Sequence, residues 1–153
     1  VRQISQAAAA PILGIDLGAK RVGVAVSDAL AISITRLDAI PRTSWKRLLR
    51  DITDLVSRFD AQSVVIGLPL SLNGSRGDAA ADAEATARKF AQSLQVPVYL
   101  QDERLTSAEA EENLREQGHD REAISNLVDS EAAAIILRDF LVSDQMRTAV
   151  PRS

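Results

Sequence analysis

The stretch Ile12-Leu13-Gly14-Ile15-Asp16-Leu17-Gly18-Ala19-Lys20-Arg21-Val22-Gly23-Val24-Ala25-Val26-Ser27 decides the fold. Two apolar runs flank a short turn at Gly18-Ala19-Lys20 and predict a β-hairpin. Val22, Val24 and Val26 alternate with small residues, as a strand does. Asp16 stands inside the first apolar run. An ionised carboxylate among apolar neighbours is costly unless it is paired or binds a cation, so Asp16 needs a reason beyond folding.

Working outward, Ile32, Ile34 and Leu37 mark a third strand within 31–40, ending before Pro41. Thr43 or Ser44 is a good N-cap. From there Leu48, Leu49, Ile52, Leu55, Val56 and Phe59 recur at helical spacing, predicting a helix over 44–58. Ser63-Val64-Val65-Ile66 is a continuous apolar run of the kind found in buried parallel strands. A turn-rich loop over 70–77 leads to an alanine-rich helix over 78–92, and Pro97-Val98-Tyr99-Leu100 is a fifth strand. Thr106-Ser107-Ala108-Glu109 reads as a capping box opening a helix that closes at Gly118. A last helix runs from Leu127 to about Val142.

This order predicts one α/β domain over 1–153: a five-stranded mixed sheet, three antiparallel strands then two parallel, with helices on both faces. Residues 1–11 and 144–153 are expected to be a flexible N-terminal segment and tail.

Composition narrows the chemistry. The chain has no cysteine, which removes disulfides, thiolate catalysis and cysteine-bound zinc. Its formal charge is −3 over 153 residues, so nucleic acid is not implied by bulk charge and basic residues would have to be gathered locally. Aromatic residues make up 3%, too few for serial base stacking. No apolar run approaches a membrane span, and no convincing signal peptide precedes the first strand. A cytoplasmic protein with no membrane contact is expected.

Three acids stand out by position: Asp16 in strand one, Glu103 just beyond the strand ending at Leu100, and Asp129 near the start of the last helix. Sites in open α/β sheets form beyond the carboxyl ends of parallel strands. Three carboxylates without cysteine make an all-oxygen site, which suits Mg²⁺ or Mn²⁺. Paired ions of that kind activate water and stabilise the leaving oxygen in phosphodiester hydrolysis. Lys20 and Arg21 in the turn, Asn73 and Arg76 in the 70–77 loop, and Arg104 beside Glu103 are candidate phosphate contacts. Each also has a plainer account. Asp16 could bond turn amides, Asp129 could be favoured by a helix dipole, and the basic residues could simply be solvated. Asp102 is set aside as a solvated carboxylate, His119 is given no role, and Trp45 is expected to pack.

Gly14-Ile15-Asp16-Leu17-Gly18 with Arg21-Val22-Gly23-Val24-Ala25-Val26-Ser27-Asp28 resembles the opening motif of the YqgF/RuvX family. Val65-Ile66-Gly67-Leu68-Pro69-Leu70 followed by Asn73-Gly74-Ser75 resembles its second motif. Asp102-Glu103-Arg104-Leu105-Thr106-Ser107 resembles the third, and Val128-Asp129-Ser130-Glu131-Ala132-Ala133-Ala134 the fourth. The four occur in order across about residues 12–142. The resemblance implies a ribonuclease H-like fold and a metal-dependent endonuclease that trims the 5′ end of the 16S ribosomal RNA precursor. It makes Asp16, Glu103 and Asp129 the catalytic, metal-binding acids. Family members often carry lysines just before the final Asp, whereas this chain has Arg121 alone in that segment.

The nearest alternative is the same chemistry on four-way DNA junctions, acting as a homodimer rather than a monomer. A non-catalytic ribosome-assembly factor of the same fold is a third reading. An actin-like ATPase is disfavoured, because such enzymes need two such domains and a second phosphate loop.

Overall fold

The computed structural model describes residues 8–70, 76–103, 121–142 and 147–152; over 121–129 it describes the helix backbone alone. Strands β1 (Ile12–Leu17), β2 (Arg21–Ser27) and β3 (Ile34–Pro41) come first. Helix α1 (Trp45–Arg58), β4 (Ser63–Pro69), α2 (Asp78–Ser93), β5 (Val98–Glu103), α3 (Arg121–Val142) and β6 (Arg147–Ala149) follow. The sheet order is β3-β2-β1-β4-β5-β6. β1, β2 and β3 pair antiparallel, and β4 and β5 run parallel to β1.

The sheet has six strands rather than the expected five. Arg147–Ala149, in the segment expected to be a tail, pair antiparallel with β5 through Tyr99, Leu100 and Gln101. β3 begins at Ile34 rather than at Ala31, because Asp28 closes the preceding loop. Its Oδ1 accepts the N–H of Ile32 at 2.7 Å and of Ser33 at 3.2 Å. The Ile32 bond is the leading cause that holds the Asp28 carboxyl below its ordinary range. β5 continues to Glu103, which lies at the end of the strand rather than beyond it. α3 starts at Arg121, six residues before the expected Leu127. The helix expected over 106–118 lies outside the described residues.

Strand alternation divides the core in two. Leu13, Ile15, Val22, Val24, Val64 and Ile66 face α1 and α2, where they meet Leu48, Ile52 and Phe90. Ile12, Ala25 and Val65 face α3 and meet Ala133, Ile136, Leu137 and Phe140. α2 lies close to the sheet because Ala80, Ala83, Ala87 and Ala91, at helical spacing, are all buried. Trp45 packs as expected, its ring 5.0 Å from that of Phe90.

Candidate metal and nucleic-acid site

β1 sits between β2 and β4, with α3 across the face that carries its even-numbered residues. Asp16 is the third of these, after Ile12 and Gly14, and is half-buried. Its cross-strand partner on β2 is Gly23. On β4 the register runs through Ile15↔Ile66, so the next position beside Asp16 is Gly67. Asp16 is therefore flanked on both sides by residues without side chains.

Glu103 comes from the other side of Gly67. It pairs with Pro69 at the carboxyl ends of β4 and β5, and only 6% of it is exposed. A Cβ placed on Gly67 would stand 3.8 Å from Glu103 Cγ, so the Glu103 side chain leans back along the sheet towards β1. The same Cβ would stand 2.4 Å from Ile136 Cδ1, which shows how closely α3 covers the floor on that side.

α3 is fixed to the sheet at several points. Over Gly14, an added Cβ would come within 3.0 Å of the Ala133 carbonyl oxygen and 3.2 Å of Leu137 Cβ. At the β3 edge, Ser130 Oγ donates to the Leu37 carbonyl, and Arg36 Nη1 donates to Glu131 Oε1 at 3.2 Å. Leu37 pairs with Val24, which pairs with Ile15. The backbone of Ser130 is thus anchored to the row of strand residues next to Asp16. Asp129 is its neighbour in the chain and lies one helical turn before Ala133. It is the ninth residue of α3, more than two turns from the start at Arg121. A helix dipole acts within the first turn, so it does not account for a carboxylate at that place.

Asp16 and Glu103 therefore share one face, on either side of the Gly67 position, and the backbone of Asp129 belongs to the helix that crosses that face. Among the described residues there is no group of three His, Cys, Asp or Glu able to hold a metal ion. The described side chains contribute two of the three acids, since that of Asp129 is outside them. The chemistry of this donor set, carboxylate oxygens alone, suits a hard divalent cation.

The basic candidates divide. Lys20 and Arg21 are exposed in the turn beyond Asp16, at the same sheet edge as Glu103. Arg76 is exposed, bridges to Leu70 just past β4, and pairs with Glu84 of α2 at 3.0 Å. Asn73 and Arg104 lie outside the described residues.

Two features escaped the sequence reading. Gly67 lets Ile136 of α3 come down onto the sheet, and the signal was available: an isolated glycine in a strand marks a close approach. Arg42 and Asp82 gave no signal, since each reads alone as a solvated charge. In the fold Arg42 Nη1 reaches the Gly18 carbonyl at 3.0 Å and Asp82 Oδ2 at 2.8 Å, while Nη2 reaches Asp82 Oδ1 at 2.9 Å. The hydrogen bond from Arg42 is the main cause that holds the Asp82 carboxyl below its ordinary range.

A family model described as RuvX, Holliday junction resolvase, matches residues 10–143. Relatives named "Putative pre-16S rRNA nuclease" include one from Gloeothece citriformis, 43% identical over 89% of each chain. Another, from Lactobacillus acidophilus, is 36% identical over 85% of this chain and 94% of its own. Among solved structures, T. thermophilus RuvC in complex with a Holliday junction substrate superposes with a TM-score of 0.56. It is 17% identical and covers 91% of this chain and 99% of that one. A second Thermus thermophilus RuvC structure gives a TM-score of 0.52. These likenesses show the fold, the ribonuclease H-like arrangement of RuvC.

Proposed function

The chain belongs to the RuvX family, and from that premise we propose that it is a divalent-metal-dependent nuclease that hydrolyses phosphodiester bonds in the 16S ribosomal RNA precursor. The observation that carries this reading is that Asp16 and Glu103 lie on one sheet face, on either side of the Gly67 position, and that the helix carrying Asp129 crosses that face. The names of the relatives support the RNA substrate.

In this reading Asp16, Glu103 and Asp129 hold Mg²⁺ or Mn²⁺. A bound ion of that kind offsets the clustered negative charge, lowers the pKa of water and stabilises the leaving oxygen in phosphodiester hydrolysis, as a pair where two are bound. The chain's own residues do the rest. Lys20 and Arg21 draw the substrate backbone to the sheet edge, with Asn73, Arg76 and Arg104 as further phosphate contacts. α3 closes one side of the site. Among the described residues no helix is long and apolar enough to cross a membrane, and we place the activity in the cytoplasm, where the precursor is made.

A second reading is favoured by the family's description: cleavage of four-way DNA junctions. Symmetric resolution needs two sites and hence a dimer. The test runs a precursor-16S fragment beside a four-way junction with Mg²⁺, Mn²⁺ or chelator, using wild type and Asp16→Asn. The proposal expects metal-dependent RNA cleavage that falls about a hundredfold or more in Asp16→Asn, the scale of losing one preorganised group at the reacting centre. Cleavage that persists in chelator, or is unchanged in Asp16→Asn, overturns it. Junction cleavage by a dimer, with the RNA left intact, selects the second reading.

A further inference from the structure

We propose that Arg42 is a positioning residue for substrate, holding the Gly18–Arg21 turn so that Lys20 and Arg21 meet the nucleic-acid backbone, with Asp82 of α2 as its anchor. This rests on the nuclease reading above and assigns a role to residues outside the acidic site.

The turn is held from several directions. The Gly18 N–H donates to the Arg21 carbonyl at 3.0 Å, closing the hairpin. A Cβ on Gly18 would stand 2.4 Å from that same oxygen, so the closure requires glycine. The Arg42 N–H donates to the Lys20 carbonyl at 2.8 Å, and its guanidinium donates to the Gly18 carbonyl at 3.0 Å. Arg42 thus binds the backbone on both sides of Ala19. Nη1 and Nη2 also donate to the two carboxylate oxygens of Asp82, at 2.8 and 2.9 Å. Asp82 is oriented in turn by the Thr86 hydroxyl, at 3.4 Å.

A guanidinium can do this and an ammonium cannot. It presents several donors in a fixed plane, enough for a bidentate carboxylate and a carbonyl at once. Asp82 takes up much of the Arg42 charge, while Lys20 and Arg21 are exposed at the turn. The charges that attract phosphate therefore sit on the turn, and Arg42 fixes where they sit. Preorganising them lowers the ordering cost of binding.

The test measures binding without turnover, by fluorescence anisotropy of a labelled precursor-16S fragment in chelator, and cleavage separately. Arg42→Gln should weaken binding roughly threefold to tenfold, the scale of a hydrogen-bonded charge contact. Arg42→Lys should fail to restore it, and Asp82→Asn should weaken it in the same direction. In cleavage, KM should rise with kcat little changed. The deciding comparison is a double-mutant cycle: in a Lys20→Ala/Arg21→Ala background, Arg42→Gln should cost little further, because its effect runs through those residues. Arg47→Gln, at an exposed pair on α1, should bind as wild type. Wild-type affinity in both Arg42→Gln and Asp82→Asn overturns the proposal, as do fully additive losses in the cycle. Melting curves of each variant separate a lost fold from a lost grip. If wild type cleaves nothing, the nuclease reading fails, while the anisotropy cycle still decides the role of Arg42.

Discussion

Asp16 and Asp82 are both carboxylates at the edge of the same turn, yet they answer to different physics. Asp82 is explained within the fold: two hydrogen bonds from Arg42 hold its ionised form. Its pKa is depressed below the ordinary 3.8, so its contribution to stability is complete above that value and is lost as pH falls through it towards the folded value. Asp82→Asn should therefore lower Tm at pH 6, and the gap from wild type should close below pH 3.8, as thermal melts across that range would record. Asp16 lies in a strand between Gly23 and the position of Gly67, and its prediction concerns chemistry rather than stability. Asp16→Asn should keep the folded structure by circular dichroism while cleavage collapses. Gly18→Ala should do the reverse at first: the added methyl meets the Arg21 carbonyl, so the turn must shift, costing about 1–3 kcal/mol in chemical denaturation.

At the scale of elements, α3 decides whether the acids can act together. It rests directly on Gly14, where an added methyl would press on the Ala133 carbonyl at 3.0 Å. Gly14→Ala should lift the helix and weaken both stability and divalent-metal binding, by contrast with Ser44→Ala. The Ser44 hydroxyl accepts the Arg47 N–H at the start of α1, which packs on the opposite face of the sheet from α3. Losing that cap should cost about 1 kcal/mol and leave metal binding as it was, which denaturation and calorimetry on the same samples would separate. The hairpin and α1 were legible in the sequence because their signals are local: alternation in Val22–Val26, and Ser44 before a periodic apolar face. The ends of β5 and α3 were not. Gln101-Asp102-Glu103 is too polar to read as strand, yet pairing with Gly67, Leu68 and Pro69 extends it. Arg121–Asn126 is likewise polar, and helical continuity there carries no apolar pattern of its own.

For the molecule as a whole, the sheet separates support from function. One face is filled by α1 and α2, and the other is shared between an apolar half under Ile136, Leu137 and Phe140 and an acidic edge at Asp16 and Glu103. Phe140 is fully buried against Tyr99, with ring centroids 5.2 Å apart, so Phe140→Ala should cost about 3–5 kcal/mol in denaturant unfolding through the cavity it leaves. The candidate acids were legible from their placement in chain order. The Arg42–Asp82 clasp was not, because it joins residues 40 positions apart through a geometry no local pattern carries. The central claim is that Asp16, Glu103 and Asp129 form one divalent-metal site. Calorimetric titration of Mn²⁺ into wild type, Asp16→Asn, Glu103→Gln and Asp129→Asn tests it most directly. The account predicts that each single substitution weakens binding by tenfold or more, with the folded structure retained by circular dichroism. Wild-type Mn²⁺ affinity in any one of the three, with the fold intact, would contradict it.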